Sequence, residues 1–404
     1  MDEAKRNLSI YVHIPFCKRK CNYCDFVSFG GCDIGLQKDY INALCKEIGA
    51  FSLIADEYKV VTVFIGGGTP SYIPAEYIGM ILEKIRETFT FDDNCEITIE
   101  GNPDSLTKDK LILYRQYGVN RLSIGLQSAN DEMLKILGRV HNYDQFVAAY
   151  SRAREAGFTN INVDVMSGLP GESMESYVRT LARVVAMQPE HISAYSLIVE
   201  DGTPLSQNDE LLALLPSEEE DRKQYARTKL LLGQSGYERY EISNYAKKGY
   251  ECRHNLSYWT GGEYLGVGLN SSSYLLLRDH NNVKNVRFKD VDLLEEYIGR
   301  FQKIDIGYFE ISSVFQLIGD LYTDIQVLKE KDQIEEFMFL GLRCIKGISK
   351  EAFMKKFGKR IEDVYEKVLK KYISSGHIIV ENDNIYFSDN GIDVSNRILS
   401  EFLL

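Results

Sequence analysis

Residues 14–26 read IPFCKRKCNYCDF, and they place Cys17, Cys21 and Cys24 directly after an apolar, β-rich segment. Three thiolates at this spacing can bind one inorganic centre, because thiolate is the soft ligand that iron–sulfur clusters prefer. A structural zinc site normally needs four ligands, and Cys32 or His13 could supply the fourth. The clustered cysteines therefore predict a metal centre after the first strand, and the spacing alone leaves cluster and zinc open.

Strand-like and helix-like segments alternate through the first half of the chain. Amphipathic stretches such as residues 77–89 and 177–188 have apolar residues at helical spacing. They separate six β-rich segments, at residues 8–14, 60–66, 95–101, 121–127, 160–168 and 191–198. This order predicts an α/β fold with a parallel sheet, either open or closed into a barrel.

Nearly every predicted strand is followed by a polar or glycine-rich signature. GGGTPS (66–71), EGNPD (100–104) and LQS (126–128) follow the second, third and fourth strands, and Asp164 lies inside the fifth. Because the carboxyl ends of parallel strands converge on one mouth, these groups would surround a single cavity. A partial (β/α)6 barrel with one ligand site is the simplest interpretation.

The sequence predicts three parts. Residues 1–205 form the partial barrel, and residues 206–333 form a linker and lid region that contains the segment HNLSYW (254–259). Residues 334–404 contain three helix-like segments and a hairpin, and they resemble a small winged-helix α+β domain. Residues 350–371 carry a surplus of basic side chains, which we interpret as a solvated helix face.

Bulk composition narrows the function classes. The chain has 404 residues, a net charge of -12 and eight cysteines. An acidic chain disfavours unspecific attraction to nucleic acid, so no nucleic-acid partner is expected. The start MDEAKRNLSIYV has no apolar signal segment, and no apolar run approaches the length of a membrane span, so the sequence predicts a cytoplasmic protein.

The motifs together resemble the radical S-adenosylmethionine (SAM) superfamily, and within it the oxygen-independent coproporphyrinogen III oxidase family. IYVHIPFCKRKCNYCDF, GGGTPS, LSIGLQS, the DVMSGLPGES stretch and HNLSYW carry the resemblance. It implies a radical-SAM barrel whose clustered cysteines hold a [4Fe–4S] cluster, with SAM bound at the open iron. The residues that it implies for SAM binding are Tyr11, Tyr23, Gly67, Gly68, Thr69, Glu100, Gln127, Arg139, Asp164 and Ile198.

Two departures from the catalytic members point to the HemW branch of haem chaperones. Those members carry a further cysteine two positions after the third, where this chain has Phe26, and they have a longer leader before the first strand. The resemblance then implies binding of haem as cargo and its delivery to a recipient haemoprotein, with the membrane as a candidate place of transfer. The alternatives are coproporphyrinogen III dehydrogenase and another radical-SAM enzyme. No catalytic residue is assigned, and a monomer or weak dimer is expected.

HNLSYW is the candidate haem site. His254 offers an imidazole for the iron, and Tyr258 and Trp259 offer flat surfaces for the macrocycle. Cys252 is a rival ligand, because thiolate is a strong donor. The alternative interpretation is an aromatic cluster that packs at a domain junction.

Overall fold

The computed structural model describes residues 4–279, 282–303 and 313–404. The strands in these residues are β1 (Arg6–Ile14), β2 (Phe16–Cys17), β3 (Phe29–Gly30), β4 (Tyr58–Gly67), β5 (Thr90–Gly101), β6 (Arg121–Gln127), β7 (Ile161–Ser167), β8 (His191–Ser196), β9 (Glu238–Arg239), β10 (Asn244–Ala246), β11 (Tyr264–Val267), β12 (Ser272–Asp279), β13 (Asn282–Lys289), β14 (Thr323–Val327), β15 (Ile348–Ser349), β16 (Ile378–Glu381) and β17 (Asn384–Phe387). The α-helices are α1 (Ile34–Ala50), α2 (Ala75–Thr88), α3 (Lys108–Gln116), α4 (Asp131–Ile136), α5 (Tyr143–Glu155), α6 (Met174–Ala186), α7 (Asp209–Leu212), α8 (Glu218–Gln234), α9 (Arg253–Trp259), α10 (Leu294–Gln302), α11 (Val314–Leu321), α12 (Glu330–Gly341), α13 (Lys350–Phe357), α14 (Ile361–Ser374), α15 (Asp389–Asp393) and α16 (Ser395–Ser400).

One large sheet organises most of this chain. Its strand order is β14-β13-β12-β11-β1-β4-β5-β6-β7-β8-β10-β9. The strands from β11 through β1 and β4 to β8 pair in parallel, and the strands added at both ends pair antiparallel. Parallel strands end on the same side of a sheet, so the segments after β1, β4, β5, β6 and β7 meet at one edge.

The six predicted parallel strands are all present, which confirms the α/β fold with a partial (β/α)6 barrel. β5 starts at Thr90 rather than at the predicted Cys95, because its polar first half pairs with β4 next to an ion pair between Lys59 and Asp92 at 2.7 Å. β11 adds a seventh parallel strand, which was not predicted. It comes from the segment that we interpreted as a linker and lid.

Helices cover the sheet, and side-chain caps fix where several of them begin. Asn142 and Gln145 form a capping box at the start of α5, and Ser217 and Glu220 form another at the start of α8. The amphipathic segment predicted at residues 77–89 becomes α2, whose buried side is rich in isoleucine and leucine. None of the helices in the described ranges is both long and apolar enough to cross a bilayer.

The C-terminal residues form a small α+β unit with its own apolar core. A three-stranded sheet of order β15-β17-β16 packs with α12, α13 and α14, as the winged-helix-like pattern predicted. Polar contacts join this unit to the large sheet, including a pair of hydrogen bonds from Arg287 to Glu336 at 2.7 and 3.1 Å. The amide of Ile345 also donates to the carbonyl of Tyr240 at 3.0 Å. The three-part division at residues 205 and 333 stays a prediction.

Candidate functional site

The loop after β1 carries the clustered cysteines Cys17, Cys21 and Cys24. Cys17 ends β2, which pairs with β3, and the other two follow in the loop. Asn22 fastens this loop to the end of α4 by donating to two backbone carbonyls, at 3.0 and 2.8 Å. All three thiols are free, with Cys17 buried and the other two partly exposed. The loop therefore holds three reduced sulfur donors in a fixed backbone frame.

The clustered cysteines share one cavity of about 140 Å³ with the carboxyl ends of the parallel strands. The other predicted residues that line it are Tyr23, Gly67, Gly68, Thr69, Glu100, Gln127, Arg139 and Asp164. Residues from five separate strand ends thus converge on the sulfur atoms, as a barrel mouth requires.

Two side chains hydrogen-bond the sulfur atoms directly. Thr69 donates its hydroxyl to Sγ of Cys17 at 3.5 Å, and Arg139 donates Nη1 to Sγ of Cys21 at 3.6 Å. Burial raises the pKa of Cys17 and of Cys24, so these thiols need such donors, or a metal, to lose their protons. The hydrogen bonds from Thr69 and Arg139 would therefore stabilise the thiolates after a metal binds.

Two half-buried carboxyl groups also line the cavity. Glu100 accepts a hydrogen bond from the amide of Gly67 at 3.3 Å, and burial together with the charge of Asp164 raises its pKa to about 8. Asp164 accepts from Asn162 at 2.7 Å and from Ser123 at 3.3 Å, and burial raises its pKa as well. A bound cation would lower both pKa values, so this wall is suited to a positively charged ligand.

Gly67 and Gly68, at the end of β4, allow the cysteine loop and the ring of His13 to lie close to this backbone. A Cβ atom at Gly68 would lie 3.0 Å from Sγ of Cys17 and 2.9 Å from the carbonyl oxygen of Phe16. Gly67 has φ of +109°, and a Cβ atom there would lie 2.6 Å from the ring of His13. A larger residue at either position would displace the cysteine loop.

The two residues considered as a fourth zinc ligand, His13 and Cys32, do not line the cavity. The ring nitrogens of His13 lie 3.0 Å from the hydroxyl of Tyr11 and 2.9 Å from the carbonyl oxygen of Val27. Across residues 4–279, 282–303 and 313–404, no three His, Cys, Asp or Glu side chains are grouped so as to hold a metal ion. The clustered cysteines are included in this finding, which disfavours a single zinc ion more than a cluster whose cysteines each bind a separate iron.

The HNLSYW segment lies in α9, which follows the parallel strands β1 to β8 in the sequence. His254 is buried, with Nδ1 2.8 Å from the hydroxyl of Thr62 and Nε2 3.0 Å from that of Tyr258, and burial lowers its pKa to about 3. Cys252 is also buried, with Sγ 3.6 Å from a carboxylate oxygen of Glu96, and burial raises its pKa to about 12. Either group would have to give up a hydrogen bond to bind iron.

Two segments of the chain match models of known protein families. Residues 11–184 match the Radical SAM superfamily, and residues 328–394 match the HemN C-terminal domain. The heme chaperone HemW of Bacillus subtilis is 34% identical over 401 residues, which are 98% of this chain and 99% of that protein. The chain belongs to the HemW heme chaperone family. The relative from Escherichia coli K12, which carries the same name, is 31% identical over 98% of each chain.

The solved structure of coproporphyrinogen III oxidase (HemN) from Escherichia coli, a radical SAM enzyme, shares the fold. It aligns with a TM-score of 0.80 and 24% sequence identity, covering 100% of this chain and 91% of that one. The likeness confirms the radical-SAM partial barrel and the small C-terminal domain.

Two predicted SAM-contacting residues are not among those that line the cysteine cavity. Tyr11 is packed behind it, with its ring stacked on Phe64, and its pKa is raised by burial and then by the charge of Glu100. Ile198 is 69% exposed. The structure therefore brings together most, and not all, of the predicted set.

Several residues that line the cavity were not predicted, and two of them hydrogen-bond predicted residues. Asn102 accepts from Arg139 at 2.6 Å and donates to Thr69 at 3.1 Å, so it links two predicted residues. Tyr195 donates its hydroxyl to Gln127 at 2.9 Å. Both lie inside segments whose other residues were noted in the sequence, and a polar side chain at a strand end was the available signal.

Proposed function

We propose that this protein is a haem chaperone that holds a [4Fe–4S] cluster on Cys17, Cys21 and Cys24, binds SAM beside it and delivers haem to a recipient haemoprotein. The observation that carries the proposal is the shared cavity, in which three free thiols face the polar ends of the parallel strands. Membership of the HemW family supports it, since relatives over the full length are named heme chaperones.

The residues of the cysteine cavity fit an iron–sulfur cluster. Three thiols are the donor set that such clusters prefer, and Gly68 leaves the space beside Cys17 free of a side chain. When bound, the cluster supplies an iron with an open position for the methionine end of SAM, as in the superfamily. Thr69 and Arg139 would stabilise the thiolates that hold it.

The rest of the cavity has the groups that SAM requires. SAM carries ammonium and sulfonium cations, which the carboxylates of Glu100 and Asp164 would attract once their protons leave. Gln127 and Arg139 offer an amide and a guanidinium for ribose or carboxylate oxygens. We propose these four as SAM-contacting residues, together with the backbone of the glycine-rich loop.

Anaerobic reconstitution tests the cofactor part of the proposal. We expect about four irons and four sulfides per chain, the content of one cubane cluster. Tightly bound zinc without sulfide would contradict it. SAM affinity should fall in Glu100→Gln and Asp164→Asn and stay unchanged in the exposed control Glu87→Gln, and equal affinities in all of them would show that the carboxylates do not contact SAM.

A haem transfer assay tests the cargo part. Protein loaded with haem should pass it to an apo-haemoprotein, and the same protein with coproporphyrinogen III, SAM and a reductant should form no protoporphyrinogen. Phe26, which lines the cysteine cavity where catalytic relatives carry a cysteine, supports this expectation. Formation of protoporphyrinogen would instead make the protein a dehydrogenase. The same proposal includes a recipient haemoprotein, transfer of haem at the membrane and a cytoplasmic location for this protein.

A further inference from the structure

A row of buried polar side chains lies below the cysteine cavity, on the side away from the carboxyl ends of the strands. The pairing of β6 with β7 and of β7 with β8 sets Ser123, Asn162 and His191 side by side. Their exposed fractions are 4%, 2% and 0%, and neither Asn162 nor His191 lines the cavity. Asp164 lies two residues further along β7, so it shares their face of the sheet, and it does line the cavity. Asp164 thus connects the buried row, as we call these three residues, to the proposed SAM site.

The side chain of Asn162 uses its whole hydrogen-bonding capacity. Its Nδ2 donates to Oδ1 of Asp164 at 2.7 Å and to Oγ of Ser123 at 2.8 Å. Its Oδ1 accepts from Oγ of Ser193 at 3.1 Å and lies 2.6 Å from Nδ1 of His191. An amide has two N–H groups and two lone pairs, so all of them are occupied. These contacts fix the place of Asn162 between Asp164 and His191.

His191 determines which way round the Asn162 amide lies. The oxygen of an amide can only accept, so Nδ1 of His191 must carry the proton, and Nε2 then accepts from the hydroxyl of Tyr240 at 2.8 Å. Burial, followed by the charge of Arg121, lowers the pKa of His191 well below its usual value, so the ring stays neutral with this one proton. The reversed amide would bring N–H against N–H at His191 and oxygen against carboxylate at Asp164.

The hydrogen bond from Asn162 keeps Asp164 an acceptor. Burial raises the pKa of Asp164, and among its neighbours Asn162 acts most strongly against that rise. Burial and then the charge of Asp164 raise the pKa of Glu100, so the two carboxyl groups repel each other when both are ionised. Without the Asn162 donor, Asp164 would more readily take up a proton or turn away from the cavity. A group of SAM that needs an acceptor would then lose it.

We infer that Asn162 and His191 are positioning residues for SAM, which hold the carboxylate of Asp164 towards the cysteine cavity as a hydrogen-bond acceptor. The inference rests on the proposed function and extends it to two residues that do not touch SAM. On its far side the His191 ring is held by Tyr240, whose carbonyl accepts from the amide of Ile345 in the C-terminal unit at 3.0 Å. SAM carries an ammonium group and ribose hydroxyls, and Asp164 would accept from either of them.

SAM binding to the reconstituted protein tests the two ring nitrogens of His191 separately. Asparagine has an amide nitrogen close to the place of Nδ1, whereas glutamine reaches the place of Nε2. His191→Asn should therefore keep the donor to Asn162 and bind SAM within about twofold of wild type. His191→Gln loses that donor and should bind SAM about fivefold more weakly, which corresponds to one hydrogen bond.

A second substitution removes the donor to Asp164 itself. Asn162→Asp has nearly the same size, but it sets a carboxylate where the amide N–H groups were. Two carboxylates so close together share a proton, so Asp164 is no longer a free acceptor. We expect SAM to bind at least about tenfold more weakly. The controls His377→Gln and Asn382→Asp lie in the C-terminal unit, outside the lining of the cysteine cavity, and should bind SAM like wild type.

The tautomer of His191 gives a test that needs neither cluster nor SAM. The chain has six histidines. Long-range proton–nitrogen NMR spectra of the metal-free protein show which nitrogen of each ring is protonated. We expect a neutral ring with its proton on Nδ1, identified by the loss of its signal in His191→Asn. A proton on Nε2 would overturn the inference, because Asn162 would then have to present its nitrogen to the ring.

The outcomes separate the inference from the proposed function. If wild type with a complete cluster binds no SAM, the SAM part of the proposed function fails and the inference fails with it. If wild type binds SAM and His191→Gln and Asn162→Asp bind it equally well, only the inference is overturned. Equal losses in His191→Asn and His191→Gln would also overturn it, since the volume of the ring and not its Nδ1 donor would then matter. Urea unfolding identifies a variant that has not folded, and in that case the tautomer of His191 in wild type decides.

Discussion

Replacing Gly68 by alanine tests whether the second strand end is shaped to admit the cysteine loop. The added Cβ atom would lie 2.9 Å from the carbonyl oxygen of Phe16, 3.0 Å from that of Ile14 and 3.0 Å from Sγ of Cys17. Two of these neighbours are backbone atoms, which no change of rotamer can move, so the start of the loop must shift. Overpacking of this kind costs about 1–3 kcal/mol, and we expect the free energy of unfolding to fall by that amount.

Urea unfolding of the metal-free protein measures the cost, and iron and sulfide analysis after anaerobic reconstitution measures its effect on the site. Gly68→Ala should also retain less iron, since a displaced Cys17 no longer shares one cavity with the other cysteines. Gly233→Ala is the control, because Gly233 lies in α8 with no described atom within 4 Å of the added carbon. It should gain up to about 1 kcal/mol from helix propensity. An unfolding free energy for Gly68→Ala within about 0.5 kcal/mol of wild type, with full iron, would refute the close-approach argument.

Three further predictions follow from other parts of the chain. Serine at any clustered cysteine should abolish sulfide after reconstitution, whereas Cys32→Ser should keep it, and loss in both would show a general effect on folding. The raised pKa of Glu100, about 8, favours the protonated group in the fold, so stability of the metal-free protein should fall as pH rises from about 5 to 8. Glu100→Gln should show a smaller fall, because burial also raises the pKa of Glu172 to about 7 and of Asp290 to about 10, and parallel urea profiles for the two proteins would contradict the prediction. Glu47 is buried and accepts from a backbone amide and two tyrosine hydroxyls at 2.8, 2.6 and 2.8 Å; Glu47→Ala should therefore lose at least about 3 kcal/mol of unfolding free energy in urea, and Glu87→Ala less than about 0.5.

The parallel strands could be predicted because their signals are local. Each has a run of apolar, β-rich residues followed by a polar strand end, and a short window of sequence contains both. β11 and β12 were not predicted, since their place is fixed by pairing with β1 and with each other rather than by their own composition. The polar first half of β5 resembles a loop in sequence, and its pairing with β4 makes it a strand.

The cysteine cavity was predictable for a related reason, whereas the cavity between α9 and the C-terminal unit was not. Strand-end residues converge through a rule of topology, so sequence position was enough to group Glu100, Gln127 and Asp164, whereas Arg139 follows α4 and was expected only from the family resemblance. Cys344 and Lys356 face Trp259 only because the C-terminal unit packs on the sheet edge, and no short-range pattern encodes that contact. The hydrogen bonds of His254 to Thr62 and Tyr258 likewise depend on where α9 lies against β4.

The position of β1 in the sheet means that the cysteine loop is synthesised well before one of its neighbouring strands. On one side β1 pairs with β4, and on the other with β11, where Ser9 lies opposite Tyr264. At a synthesis rate of roughly 5–20 residues per second, the second neighbour leaves the ribosome on the order of 10–50 s after the first strand. During that interval the strand that leads into the cysteine loop has an open edge, and its three thiols are made long before their surroundings are complete. The residues that line the cysteine cavity end at Tyr195, so they are all made before β11 can pair with the free edge of β1. A site that needs both neighbours of β1 is therefore complete only after β11 is made.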